Sequence, residues 1–180
     1  MSELADHYRT VAADFSRVVD AVPDDAWDRP APCEGWVARD VVRHLVEWVP
    51  GFFGERWGIT VDAPSVDADP AAAWHALDGA VRAALDADAS AVADTPFGPQ
   101  SLEQAIGMIV TGDVLVHTWD LARATGGDER LDPDAVHRLF EGMEAMDESM
   151  RASGHFGPRV EVPPDADEQT RLIAFTGRTP

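Results

Sequence analysis

The chain has 180 residues, 45% of them apolar, enough for a single domain (residues 1–180) with a sizeable core. Its formal charge of −19 argues against nucleic acid and anionic membranes as partners, because both call for basic surface. All 14 basic residues are arginine, which removes lysine Schiff-base chemistry and the Walker lysine, and the lone cysteine, Cys33, leaves no intramolecular disulfide. The N-terminal stretch is amphipathic and acidic without a charged-then-apolar leader, and no apolar run approaches the ~20 residues of a membrane span. A soluble cytoplasmic protein is expected.

Helical periodicity dominates. Leu4, Tyr8, Val11, Phe15, Val18 and Val22 form an amphipathic stripe that ends before Pro23. A second helix is expected from about Val37, with Val42, Leu45 and Val49 on one line and Val41, His44 and Trp48 beside it; Pro50 and Gly51 should break or kink it. Asp69-Pro70 reads as an N-cap followed by proline at the first helical position, opening a helix with Trp74, Leu77, Val81 and Leu85 inward. No strand pattern is persuasive, although Ala91 to Thr95 could be extended, and Thr95 to Gln100 reads as a turn. Ser101 and Gln104 form a capping-box signature for a fourth helix, from Leu102 to about Thr125, ending at Gly126-Gly127. Asp132-Pro133 repeats the cap-then-proline device before a fifth helix marked by Val136, Leu139, Phe140, Met143 and Met150. Gly154 to Pro164 reads as a Gly/Pro-rich tail over the surface, anchored by a short final helical turn with Leu172, Ile173 and Phe175. The expectation is an all-α bundle of about four main helices.

The candidate site lies on these helices. Asp113 and His117, one turn apart, continue the line Ile109, Asp113, His117, Leu121, so two polar residues sit in an otherwise apolar stripe. The spacing by itself is weak, since 33 acids and 6 His in 180 residues give about one such pair by chance. Three occur: Glu3/His7, Asp40/His44 and Asp113/His117. Glu3/His7 lies off its stripe and reads as a solvated pair. Asp40 stands at the start of its helix, where the dipole favours a carboxylate. Asp113 must be paired or metal-bound to be buried, and either it orients His117 or both grip a cation. His44 faces inward from the second helix and would complete a three-ligand site with free positions, the arrangement of catalytic zinc. The bland alternative is a pair of satisfied core histidines.

His75 and His137 have no inward acid partner, and His155 lies in the tail. A di-iron site would require Glu-x-x-His twice; only Asp134-x-x-His137 comes near it. Cys33 has no base beside it and reads as a half-buried loop thiol rather than a nucleophile. Trp36, Trp48, Phe52, Phe53, Trp57 and Trp119 read as core residues that also wall the ligands, and Asp120 as either a support for His117 or the partner of Arg123 or another arginine.

The strings APCEGWVARDVVRHLVEW, TGDVLVHTWDLARATG and GHFGPRVEVPPDADEQTRLIAFTGRTP resemble the DinB-like metal-binding proteins, in the branch related to mycothiol-dependent maleylpyruvate isomerase. The resemblance covers nearly the whole chain. It implies a DinB-like four-helix bundle, here with an extra short helix and the Gly/Pro-rich C-terminal tail, and a divalent ion held at the positions of His44, Asp113 and His117. Zinc is the implied ion, with nickel or another divalent metal as alternatives. Mycothiol is the implied thiol, held as a thiolate that attacks an electrophilic small molecule. The chain departs at Asp113, where the isomerase usually has Glu, and it carries no counterpart of that enzyme's additional C-terminal domain. The general thiol transferase or isomerase-like chemistry is therefore implied rather than maleylpyruvate isomerisation, acting in a monomer or homodimer. The competing reading is a non-catalytic metal-binding module for stress response or interaction.

Overall fold

The computed structural model describes residues 2–148 and 157–180. It is mostly helical, with one small hairpin among the described residues. Helix α1 (Glu3–Asp20) begins at Ser2, whose hydroxyl accepts from Ala5 N, and buries Tyr8, Val11, Phe15 and Val18. Leu4, expected on that stripe, is exposed. Helix α2 (Ala38–Trp57) does not break at Pro50; it runs on to Gly58, whose φ of 69° and N–H to the Gly54 carbonyl end it. Val49 and Phe53, on either side of the proline, are fully buried, and their burial outweighs the lost backbone bond.

Helix α3 (Pro70–Asp88) is capped by Asp69 and buries Trp74, Leu77, Val81 and Leu85. A hairpin follows, β1 (Val92–Thr95) against β2 (Gly98–Ser101), antiparallel with Thr95 opposite Gly98. The stretch expected as turn from Thr95 to Gln100 is thus largely strand. Trp57 Nε1–H donates to the Ala91 carbonyl at 2.8 Å and ties the hairpin to the end of α2.

The expected fourth helix is present but interrupted. It opens as α4 (Leu102–Ala105) with the Ser101/Gln104 capping box, widens into a π-helical turn over Ile106–Val110, and continues as α5 (Thr111–Thr125). The Thr111 hydroxyl donates to the Ile106 carbonyl at 3.1 Å within the widened turn. Gly126, at φ 78°, ends α5. Helix α6 (Pro133–Ala145) is capped by Asp132 and buries Val136, Phe140 and Met143, while Met150 and His155 lie outside the described residues. The tail from 157 leads to α7 (Glu168–Phe175), capped by Asp167, whose Leu172, Ile173 and Phe175 are buried as expected.

Helices α1, α2, α3 and α5 pack as a ring: α1 against α3 and α5, and α2 against the same two. Tyr8, Phe15, Leu45, Phe53, Trp74 and Leu121 meet in the shared core. Helices α6 and α7 pack on each other, and α6 also touches α5. Because α2 and α5 lie side by side, His44 on one comes opposite Asp113 and His117 on the other.

Candidate metal centre

His44, Asp113 and His117 converge, with one ligand atom from each lying within 4.8 Å of the others. His44 Nε2 lies 3.2 Å from Asp113 Oδ2, and His117 Nε2 lies 3.4 Å from Asp113 Oδ1. Trp48 Nε1–H donates to Asp113 Oδ2 at 2.9 Å, so the carboxylate is aimed from α2 as well as from its own helix. His117 is deep, with 5% of its side chain exposed, whereas His44 at 34% and Asp113 at 28% face outward. The cluster is therefore walled at the back and open at the front. Trp36 packs on both imidazoles, with ring centroids 5.3 Å from His44 and 5.9 Å from His117.

The far side of His117 decides how its near side must be read. Its Nδ1 lies 2.8 Å from Oδ2 of Asp120, a carboxylate with no exposed surface. An ionised carboxylate only accepts, so Nδ1 carries the proton. In the neutral ring Nε2 is then a bare lone pair, and it points at a second carboxylate, Asp113. Two acceptors facing each other repel unless a cation lies between them, either a proton or a metal ion. Two imidazole nitrogens and one carboxylate oxygen are a donor set that suits zinc and related divalent ions. A metal-binding histidine held from behind by a carboxylate is the usual support for such a ligand. The residues fit the metal.

Without an ion the proton takes that place. Burial alone would lower the His117 pKa, but Asp113 and Asp120 on either side outweigh it and raise it to about 9. Burial likewise works against the Asp113 carboxylate, yet His117 and His44 hold it well below the usual carboxylate range. The folded pKa of His117 lies above its unfolded value of 6.5, so the native metal-free protein binds the extra proton between pH 6.5 and about 9. Its stabilising contribution is full below pH 6.5 and is lost as pH rises through about 9, a loss on the order of 3 kcal/mol. Urea denaturation of chelator-treated protein at pH 6 and pH 9.5 checks this. Equal midpoints would exclude a proton held between His117 and Asp113.

A second group, Cys33, His117 and Asp120, also brings donor atoms together. An arginine already engages it. Arg178 donates Nε to Asp120 Oδ1 and Nη2 to Oδ2, each at 2.7 Å, and Nη2 also reaches Cys33 Sγ at 3.4 Å. The guanidinium already supplies the positive charge there. Burial and the Asp120 carboxylate, 3.7 Å from Sγ, push the Cys33 thiol up to about 11, which disfavours the thiolate.

The rival pairs have other duties. Glu3 bridges to Arg138 at 2.7 Å rather than serving His7. Asp40 accepts from Val37 N at 3.0 Å and from Arg43, and so caps α2. His75 pairs with Asp20 and His137 with Glu168, both at the surface. Phe52, Phe53 and Trp57 continue the aromatic row along α2 beyond Trp48, whereas Trp119 stacks under Arg123, which pairs with Glu129. Sequence reasoning placed Trp48 and Trp36 only as walls, left Asp120 undecided, and missed Arg178. An acid three residues after His117 on the same face was the available signal for Asp120. A buried carboxylate requires a cation, but nothing in the sequence selects Arg178 from 14 arginines.

Residues 8–122 match the family described as the mycothiol maleylpyruvate isomerase N-terminal domain, a span containing His44, Asp113, His117 and Asp120. The chain belongs to that family. It is similar, at 32% identity over 187 residues, to uncharacterized proteins of Mycobacterium tuberculosis strains CDC 1551 / Oshkosh and ATCC 25618 / H37Rv. The alignment covers 99% of this chain and 99% of each relative, so it extends past the family segment to the tail. No solved structure matches the chain significantly. Among the described residues, no helix is long and apolar enough to cross a membrane.

Proposed function

We propose that His44, Asp113 and His117 hold a divalent cation, zinc by donor chemistry with nickel as the alternative, and that the protein is a mycothiol-dependent transferase or isomerase-like enzyme. The observation that carries this reading is the His117 Nε2 lone pair turned toward Asp113 while Nδ1 is committed to Asp120. A divalent cation bound there stabilises a thiolate over its thiol. Asp113 and the imidazoles supply the fixed charge and orientation. Trp36 and Trp48 cover the flanks and limit water, and the exposed edges of His44 and Asp113 leave a path for a small molecule. Cys33 is held as a thiol and Asp120 is consumed by Arg178 and His117. With those two groups engaged, the nucleophile is assigned to the bound small thiol, and family membership points to mycothiol.

In this reading residues 1–180 form one DinB-like four-helix domain with a short added helix and tail. It acts in the cytoplasm, as a monomer or homodimer, on an electrophilic small molecule.

Cobalt(II)-substituted protein tests it. Adding mycothiol is expected to produce an intense near-ultraviolet sulfur-to-cobalt band that strengthens as pH rises, because only the thiolate binds. Cobalt that stays bound while mycothiol and other cellular thiols leave the spectrum unchanged would overturn the thiol reading in favour of a non-catalytic metal-binding module.

A further inference from the structure

Asp120 accepts the hydrogen bond from the back of the deepest candidate ligand, and it is itself held by a residue from the other end of the chain. Its two oxygens are occupied: Oδ2 by His117 Nδ1–H at 2.8 Å and Arg178 Nη2 at 2.7 Å, Oδ1 by Arg178 Nε at 2.7 Å. A two-point guanidinium fork fixes the plane of a carboxylate as a single point charge does not. The plane of the carboxylate in turn fixes the imidazole that accepts its direction from it.

The tail is built to deliver that arginine. Helix α7 docks through Leu172, Ile173 and Phe175, and the chain then turns at Gly177, at φ 87°. A Cβ at Gly177 would lie 3.2 Å from both Gly157 Cα and the Pro158 carbonyl oxygen, so the turn is closed to larger residues. Arg178 follows directly, with 14% of its side chain exposed. Its Nη2 also touches Cys33 in the loop ahead of α2, so one side chain links the tail to α5 itself and to the loop that leads into α2.

We propose that Arg178 is a positioning residue for the metal centre: through Asp120 its guanidinium fork locks the orientation of His117 and thereby raises metal affinity. The inference rests on the metal reading above. It places a determinant of the site outside residues 8–122, the segment that matches the family.

Zinc affinity, measured by competition with a chromophoric chelator, and the His117 Nδ1 proton signal of the zinc-loaded protein, measured by nitrogen-edited NMR, test it together. Arg178→Ala is expected to weaken zinc binding by about 10- to 100-fold and to broaden the Nδ1 proton by exchange with water. Gln169→Ala is the control for a merely loosened tail, since Gln169 ties α7 to Leu131 N and the Glu129 carbonyl, each at 2.9 Å. It is expected to lower the melting temperature and leave both quantities unchanged. Arg178→Lys keeps the charge without the fork and serves if alanine leaves the tail undocked; a several-fold loss of affinity is expected. If either quantity stays at its wild-type value in a folded Arg178 variant, or falls equally in Gln169→Ala, the role of Arg178 is overturned. Wild-type protein that takes up no zinc overturns the metal reading itself, a different result.

Discussion

Replacing His117 by alanine is expected to abolish stoichiometric metal binding, while the wild-type chain holds about one divalent ion that chelators remove. His117 is the one donor of the three that is both deeply buried and held from behind by a carboxylate, so its loss removes the best-ordered ligand of the set. His75→Ala and His137→Ala are the controls. Both rings lie at the surface, His75 on Asp20 and His137 between Glu168 and Glu141, and both variants should retain the ion. Asp113 tests a separate point. Asp113→Asn should weaken binding strongly because a neutral amide replaces the charged oxygen that faces both imidazoles, whereas Asp113→Glu keeps the charge and should bind. The measurement is metal content by elemental analysis of untagged protein, followed by titration. Stoichiometric metal in the His117 variant would remove it from the ligand set.

How much of this centre was legible in the sequence follows from the range of each interaction. Asp113 and His117 are four residues apart on one helix, so their common face is local geometry. His44 was reachable because it lies on an inward line of its own helix. The juxtaposition of the two helices is a tertiary fact, and the sequence could only make it plausible. Arg178 lies 58 residues from Asp120 in a tail without periodicity, and only the folded chain shows which of the arginines fills that gap.

The fold divides in the same way. The capped starts at Asp69, Ser101 and Asp132 were readable because a cap is a contact across three residues, and each forms as expected. The break expected at Pro50 does not occur because the proline's local cost was set against burial of Val49 and Phe53, which depends on helices elsewhere in the chain. The hairpin was obscured because Val92 and Phe97 are exposed and β2 reads Gly-Pro-Gln-Ser, so no apolar alternation marks it. The π turn at Ile106–Val110 lies inside a run that is helical on both sides, where a locally widened turn leaves no clear trace in the hydrophobic pattern.

Asp120→Ala is expected to be the most destabilising single change at the site, at about 3–5 kcal/mol in metal-free protein, because it removes one half of a buried ion pair. The variant leaves the Arg178 guanidinium, 14% exposed, and the Nδ1–H of a buried imidazole without their acceptor. Adding Arg178→Ala to it should cost less than the sum of the single changes, since the second substitution removes the charge that the first had stranded. Burial acts against the Asp120 carboxylate, but His117 and Arg178 hold its pKa below the ordinary aspartate value of 3.8. A carboxylate with a lowered folded pKa stabilises the native state above its unfolded pKa and ceases to do so as pH falls through the folded one. On the acid side the gap between wild type and Asp120→Ala should therefore be full at neutral pH and narrow below pH 3.8. Urea denaturation of both proteins at pH 7 and in acid, with chelator present, measures it. A difference at pH 7 within experimental error would mean that Asp120 is not the counter-charge that holds the tail and His117 together.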